Sequence, residues 1–475
     1  MGEEIASKSF SEEDEREFRK RLRLETKTLK SWFDKKLFDK NNQKIGLELE
    51  AWLVSKDFVP APENKSFLGE LNHPLVVPEI SKFNFEINSM PLSLSENVFG
   101  SLELELEKLW QSCHRSAENL NLRTLMIGTL PTLRDYMLTL ENLSEGQRYP
   151  ALNERVMKLR GDKPIILEIE GKDYLKLEHN DVITECAATS LQVHYGVNQE
   201  NAHHYYNASI IASSFVAAVA ANSPYFYGKE LWDESRIAIF EQSVNLKSFP
   251  LLNREQATRV TLGNGYVRES IFELFLENLD GYPILLPELR SSDPNWLDHL
   301  RLHNGTIWRW NRPLIGLDEQ SGPSLRLEFR VPSAGPTIVD TIANLVFQIG
   351  LVETIANFKD FEEKLDFKTA KENFYKACRY GLDAEIEWLD GKTHNIQKLL
   401  FSSLLDQIED SLINIGISEK EIQKYLRDII GSRVQNGQNG ANWQKVYIHT
   451  HGSRFQEMLE IYFKKQQENI PVHLW

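Results

Sequence analysis

The chain has 475 residues, 41% of them hydrophobic, with 24 Phe, 15 Tyr and 10 Trp, which describes a folded globular protein and excludes a disordered one. A formal net charge of −15 argues against nucleic acid or an anionic membrane as the main partner, and bound cations can offset part of it. Three cysteines, Cys113, Cys186 and Cys378, show no CxxC and no zinc-type Cys/His spacing, so each reads as a buried small hydrophobe in a reducing compartment.

In chain order, MGEEIASKSF lacks a basic-then-apolar signal pattern, and Ala6 stands where a myristoylation motif wants Ser or Thr. Residues 11–38 read as a charged helix capped by Ser11, with Phe18, Leu22, Leu24, Leu29 and Phe33 as its apolar stripe. A strand at 45–52 follows, then a Pro- and Asn-bearing loop over 57–79 that brings Glu79 close to a second strand at 84–90. The spacing predicts a long helix over 92–122 and a buried strand over 124–130. The stretch 132–165 reads as polar and irregular, a candidate lid, with Gln147-Arg148-Tyr149 its most functional-looking part.

A strand at 190–197 precedes an Ala- and Ser-rich helix over 202–222. The apolar run 210–221 within it is too short to span a bilayer, so a soluble, cytoplasmic protein is expected. Short segments fill 259–310, and a fourth strand, 325–331, ends at Pro332. Helices are expected over 336–357, 361–380, 396–414, 418–430 and 452–467, with no internal repeat.

Four of these strands share one peculiarity. In 45–52, Ile45, Leu47, Leu49 and Ala51 alternate with Gly46, Glu48, Glu50 and Trp52. In 84–90, Phe85 and Ile87 alternate with Asn84, Glu86 and Asn88, and in 190–197, Leu191, Val193 and Tyr195 alternate with Gln192 and His194. In 325–331, Leu325, Leu327 and Phe329 alternate with Arg326, Glu328 and Arg330. One such stretch reads as an outer strand with a solvated side. Four in the same phase, side by side in one curved antiparallel sheet, would make an acid-rich trough on an apolar layer. Crowded carboxylates repel unless a divalent cation sits among them.

No P-loop, GxGxxG or GxSxG occurs, so nucleotide binding would have to use metal and basic residues. Glu48, Glu50, Glu86 and Glu328 are candidate oxygen ligands for two or three Mg²⁺ ions bridging a triphosphate, with Mn²⁺ an alternative. Arg330, with Arg236 and Arg312, could neutralise charge on a transferring phosphoryl group.

The stretches IGLELE, PEISKFNFEINSMP, TSLQVHYGV, NSPYFYG followed by SRIAIFEQ, and LRLEFRVPSAGPTIVD resemble glutamate–cysteine ligase family 2, the carboxylate–amine ligases, as do RYGLDA at 379–384 and NGQNGANWQ at 436–444. The resemblance implies an α+β, glutamine synthetase-like fold: a curved antiparallel funnel flanked by helices, with a helical C-terminal region. It implies a catalytic domain over 45–357, an N-terminal helical segment over 1–44 and a helical subdomain over 358–475. It also implies an ATP- and Mg²⁺-dependent ligase that phosphorylates the γ-carboxylate of glutamate and transfers the acyl group to cysteine or another amine.

By position, Glu48, Glu50, Glu79, Glu86, His194 and Glu328 match the metal-binding set. Gln192, His194, Arg312 and Arg330 are the expected nucleotide contacts; Arg236, Asn88 and Tyr149 are the expected substrate contacts, with Arg330 and Arg236 catalytic. Gly128-Thr129-Leu130-Pro131 has leucine where the branch commonly has histidine, which bears on the acceptor. Two rival readings share these residues: a γ-glutamyl ligase for a different amine, and a binding protein that keeps the fold without turnover. Small-molecule substrates are the expected partners, with room for a homo-oligomer.

Overall fold

Strand β1 (Lys44–Val54) is the axis of the main sheet, its odd residues all apolar, as a strand with one core face requires, and Gly46, Glu48 and Glu50 between them on the other face. The structure, a computed structural model, describes residues 4–39, 43–246, 258–291, 293–318 and 322–475. Strands β2 (Val76–Pro78), β3 (Asn84–Asn88), β4 (Leu92–Ser93) and β5 (Arg123–Leu125) follow. After a separate hairpin of β6 (Ile165–Glu170) and β7 (Tyr174–His179) comes β8 (Leu191–Gly196). Short pairs follow: β9 (Tyr225–Phe226) with β10 (Lys229–Glu230), and β11 (Val260–Thr261) with β12 (Trp308–Arg309). The last two strands are β13 (Asn311–Asp318) and β14 (Gly322–Phe329).

The main sheet runs β13-β14-β8-β1-β3-β2, antiparallel throughout, with β4 and β5 paired to the two ends of β1. The four strands singled out by their polar faces are therefore consecutive neighbours, and the sheet curls into a half-barrel. Pro313 sits in β13, at the sheet edge, where its missing N–H costs no ladder bond.

Helix α1 (Glu12–Asp34) starts as expected, Ser11 and Asp14 exchanging hydrogen bonds in a capping box, although Leu24 is exposed. Helices α2 (Asn64–Leu71) and α3 (Val98–Asn119) follow, so 57–79 is not all loop, and the expected 92–122 helix begins late because Leu92–Ser93 pairs as β4. Nor is 132–165 irregular: it contains α4 (Arg148–Leu159), with Leu152, Val156 and Met157 buried. Pro150 conceals this helix from a sequence reading, yet at the third helical position it removes an N–H that has no intrahelical partner.

Beyond come α5 (Ala202–Val219), α6 (Ser235–Ser243), α7 (Phe272–Gly281), α8 (Asp298–Asn304) and α9 (Ile338–Ala356). The C-terminal helices fall near their expected positions, with an additional one at Gly440–His451. Helix α9 is long and apolar enough to cross a membrane, but its whole apolar window is buried inside the protein. It packs on α5 and on the Leu405–Asn414 helix, where a Cβ on Gly350 would come within 2.7 Å of Ile408 Cγ2. The buried apolar residues form one continuous cluster from Ile5 to Val472, and all three cysteines are buried in it.

One buried histidine makes this fold acid-sensitive. His303 in α8 is 2% exposed and its Nε2–H donates to Asn278 O at 2.9 Å. Burial, then the charge of Arg259, pushes its pKa down to about 3 from 6.5. Its contribution to stability is thus whole above pH 6.5 and is lost as pH falls toward 3. Between pH 7 and pH 5 the loss is about 2 kcal/mol. Thermal melts at those two values should show a smaller drop for His303→Gln than for the wild type; equal drops would clear His303 of this role.

Candidate active site

Pairing register decides which polar side chains meet. Glu48 of β1 lies opposite Asn88 of β3 on one side and Gln192 of β8 on the other, and Glu50 lies opposite Glu86. His194 stands between Gly46 and Glu328, and Glu328 stands beside Arg312 of β13. Residues far apart in sequence so form one stripe across five strands. Trp52, in the same phase, closes one end: its Nε1 donates to Ile127 O at 3.0 Å and its ring stacks on Phe83 at 5.6 Å.

A cavity of about 260 Å³ opens on this stripe. Of the residues singled out from the sequence, Glu48, Glu50, Glu79, Glu86, Gln192, His194, Arg312, Glu328, Arg330 and Tyr149 all line it. Two expected substrate contacts do not. Asn88 lies outside the lining and donates its Nδ2 to Glu86 Oε1 at 2.9 Å. Arg236, 1% exposed, also lies outside it, because α6 holds it buried against the backbone at Arg330 and Val331. There its Nε donates to Glu234 Oε1 at 3.2 Å, its Nη2 donates to the carbonyls of Arg330 and Val331, and it stacks over Trp310. Arg236 thus braces the chain at Arg330 and does not reach the cavity.

The acids and the imidazole sort into two groups whose ligand atoms lie within 4.8 Å of one another: Glu48, His194 and Glu328 in one, Glu50, Glu79 and Glu86 in the other. In the first, charge is compensated. Arg312 grips Glu328 with both ends of its fork, Nε to Oε2 at 2.9 Å and Nη2 to Oε1 at 3.0 Å, and Arg330 Nη1 adds a third contact at 3.2 Å. Burial raises the Glu328 pKa, but Arg312 and then Arg330 override it and hold it down at about 2. Arg326 Nε donates to His194 Nδ1 at 3.1 Å, which leaves Nε2 to carry the proton that meets Glu48 Oε1 at 3.1 Å. Against burial, His194 holds the Glu48 carboxyl well below the usual carboxylate range.

The second group is under-compensated. Glu50 accepts from Gln192 Nε2 at 2.9 Å and from Ser190 N at 2.6 Å, yet burial, opposed by Arg330 and reinforced by Glu86, pushes its pKa up to about 7. Burial and then the charge of Glu48 push Glu86 up to about 8, and burial and Glu50 raise Glu79. Three carboxyls packed together out of water, with Arg330 and Arg236 acting on Glu50 and Arg148 on Glu79 only through space, are a donor set for a hard divalent cation.

The structure also adds lining residues that sequence reasoning had not assigned. Arg326 shares the phase of Glu328 and could have been found from it. Arg148, next to Tyr149, is buried and lines the same wall. Glu185, in the short helical turn Ile183–Ala187, and Arg290 and Arg301, near and on α8, carry no local signal. Phe275, Leu300, Leu302, Leu314 and Ile315 supply an apolar surface. Acids, guanidiniums and apolar groups lining one cavity suit a ligand with a polyanionic chain and a flat apolar part.

The family model for glutamate-cysteine ligase family 2 matches residues 44–460. A solved glutamate–cysteine ligase from Francisella tularensis, in complex with AMP, is similar at TM-score 0.52 and 12% identity, covering 90% of this chain and 90% of that one. At that identity the likeness shows the fold. A bifunctional glutathione synthetase from Pasteurella multocida is similar at TM-score 0.47 and 14% identity, over 95% of this chain and 55% of that one. No curated protein sequence matches the chain. Because the model match takes in nearly the whole chain, the four polar strands included, this protein belongs to glutamate-cysteine ligase family 2.

Proposed function

We propose that the protein is an ATP- and Mg²⁺-dependent carboxylate–amine ligase that joins the γ-carboxyl of glutamate to an amine, with cysteine the leading acceptor. The observation that carries this reading is the sorting of six acid and imidazole side chains into two groups facing the guanidiniums of one cavity. Family membership and a fold shared with a glutamate–cysteine ligase support it.

Glu50, Glu79 and Glu86, an all-oxygen set short of positive charge, would hold one Mg²⁺, and Glu48, His194 and Glu328 would take a second once His194 Nε2 gives up its proton and Arg312 and Arg330 turn from Glu328 to the phosphates. Bound there, the ions would supply charge neutralisation to the phosphates. The remaining work falls to side chains. Arg330, fixed by Glu328 and Gln192, and Arg312, fixed by Glu328, present guanidinium edges for a phosphoryl group in flight. A γ-carboxylate oxygen of glutamate attacks the γ-phosphorus: the C–O–P link forms and the P–O bond to ADP breaks. The acceptor nitrogen, as the free amine, then attacks the acyl carbon: C–N forms, C–O breaks, and phosphate leaves with the electron pair and takes the proton the nitrogen gives up. Because the acyl phosphate must be kept from water, the burial of Arg148, Tyr149 and Leu152 in the α4 wall matters as much as the charges do.

Mass spectrometry after incubation with ATP, Mg²⁺, glutamate and a panel of amines should find one γ-glutamyl amide, with ADP and phosphate released in equal amounts. A cysteine adduct supports the leading acceptor and another amide names its replacement, whereas no ADP release with any amine would sink the ligase reading.

Glu86→Gln separates metal binding from folding. It should lower turnover by about 10³-fold, a loss of about 4 kcal/mol in transition-state stabilisation. The raised pKa of Glu86 means its folded form keeps a proton that the unfolded chain releases near 4.5, so its contribution to stability falls as pH rises from there toward 8. Melts of metal-free wild type should therefore fall between pH 6 and pH 8, and Mg²⁺ should offset the fall. Glu86→Gln should flatten the slope and lose the Mg²⁺ response; a variant that melts and responds like the wild type would remove Glu86 from the ion's neighbourhood.

A further inference from the structure

Two helices that line the cavity begin without caps of their own. Helix α4 carries Arg148, Tyr149 and Leu152 on the lining, and its N-cap, Gln147, makes no side-chain capping bond. Helix α8 carries Asp298, Leu300, Arg301, Leu302 and Asn304 on the lining, and its N-cap, Leu297, is in the left-handed region and likewise makes none. Exposed N–H groups at a helix start need an acceptor, and the helix dipole favours an anionic one.

In both cases the acceptor is a carboxylate from the N-terminal segment. Glu4 Oε1 takes the N–H groups of Gln147 and Arg148 at 2.8 and 2.9 Å. The approach is made possible by Gly146 at φ +130°, where a Cβ would lie 2.6 Å from Glu4 Oε2. Glu25 of α1, 2% exposed, takes the Leu300 N–H at 2.7 Å with Oε2, while its Oε1 receives His299 Nδ1 at 2.5 Å. His299 in turn accepts the Arg290 N–H through Nε2, so that Arg290, also on the lining, is fixed by the same carboxylate. Further ties run parallel. Glu15 pairs with Arg155 of α4, and Arg21 Nη1 donates to Arg290 O at 2.9 Å. The segment that does this, residues 4–34, lies outside the stretch matched by the family model, which begins at residue 44.

We propose that residues 4–34 form a clasp that supplies, in trans, the missing caps of α4 and α8, and thereby sets the separation of the two cavity walls on which substrate affinity depends. Glu4 and Glu25 are positioning residues, acting through Arg148, Tyr149, Arg290 and Leu300. This rests on the ligase reading for the substrates, but not for the clasp itself.

The test uses full-length protein with Glu4→Ala, Glu25→Gln and the double variant Glu4→Ala/Gln147→Asp, in which an aspartate at the N-cap replaces the lost carboxylate in cis. Without any substrate, amide exchange should quicken about tenfold over 148–159 in Glu4→Ala and over 298–304 in Glu25→Gln, each confined to its own helix. With substrates, KM for ATP or glutamate should rise about tenfold in either variant while kcat changes less than threefold, and Gln147→Asp should restore both exchange and KM in the Glu4→Ala background. Faster exchange with unchanged KM would reduce the clasp to a structural tie and overturn its link to affinity. Unchanged exchange would overturn the clasp altogether. A wild type without turnover would count against the ligase reading and not against the clasp, which exchange and calorimetric ATP·Mg²⁺ binding then decide, with the same tenfold weakening expected.

Discussion

The structure depends on one electrostatic constraint: carboxylates from three strands, β1, β3 and β14, and from Glu79 just after β2 are forced together, out of water, on one face of a sheet. Each buried carboxylate carries a large desolvation penalty unless a cation or several donors meet it. The chain solves this at one end with arginine, Glu328 being gripped by Arg312 and touched by Arg330. At the other end it stops short. Arg330 and Arg236 act on Glu50, and Arg148 on Glu79, only through space, and the raised pKa values of Glu50, Glu79 and Glu86 record the deficit. A sheet satisfied everywhere would be more stable and would have no use for an ion, so the deficit is the functional part of the design.

The same asymmetry gives the cavity a direction. The cation-seeking acids Glu50 and Glu86 stand on β1 and β3, and Arg312, Arg326 and Arg330 stand on β13 and β14, across β8 from them. On the proposed function, a phosphate chain would find opposite charge on the β13–β14 side, and cations held by the acids would supply it on the β1–β3 side. Two anions meeting on an acidic sheet is unfavourable in either order alone; this arrangement lets each find opposite charge before it meets the other.

How much of this was legible in the sequence follows from which interactions are local. Period two in Ile45–Trp52, Asn84–Asn88, Leu191–Gly196 and Leu325–Phe329 is local, and those four strands turned out to be consecutive in the sheet. Helix α4 was missed because Pro150 reads as a breaker, though a first turn tolerates it. Edge strand β13 was missed for a similar reason, Pro313. Arg236 was expected at the substrate, but an arginine in a recognised stretch does not say which groups will take its donors; here Glu234 and the carbonyls of Arg330 and Val331 take them. Glu25 did leave a trace: it falls in phase with Phe18, Leu22 and Leu29, an acid on the apolar stripe of α1, and the structure pairs it with the buried His299. An acid on an apolar stripe signals a distant partner, whose identity no local pattern contains.

The reverse of the sheet shows why so strained a face can be held. Leu47, Leu49, Ile87, Val193, Leu325, Leu327 and Phe329 are at most 2% exposed, and α9 packs on β8 while α5 packs on β13. Apolar burial there, on the order of 1.5–3 kcal/mol for each such side chain, is what can offset the cost of crowded charge in front. Even a buried acid on this side is handled differently. Glu353 of α9 receives the hydroxyls of Tyr195 and Tyr205, and burial raises its pKa, so two neutral donors quiet it and nothing calls for a cation. One sheet therefore treats carboxylates in two ways, sealed with hydroxyls where the core must stay inert and left wanting charge where chemistry is to happen. That contrast, more than the number of acids, marks the front face as the working one.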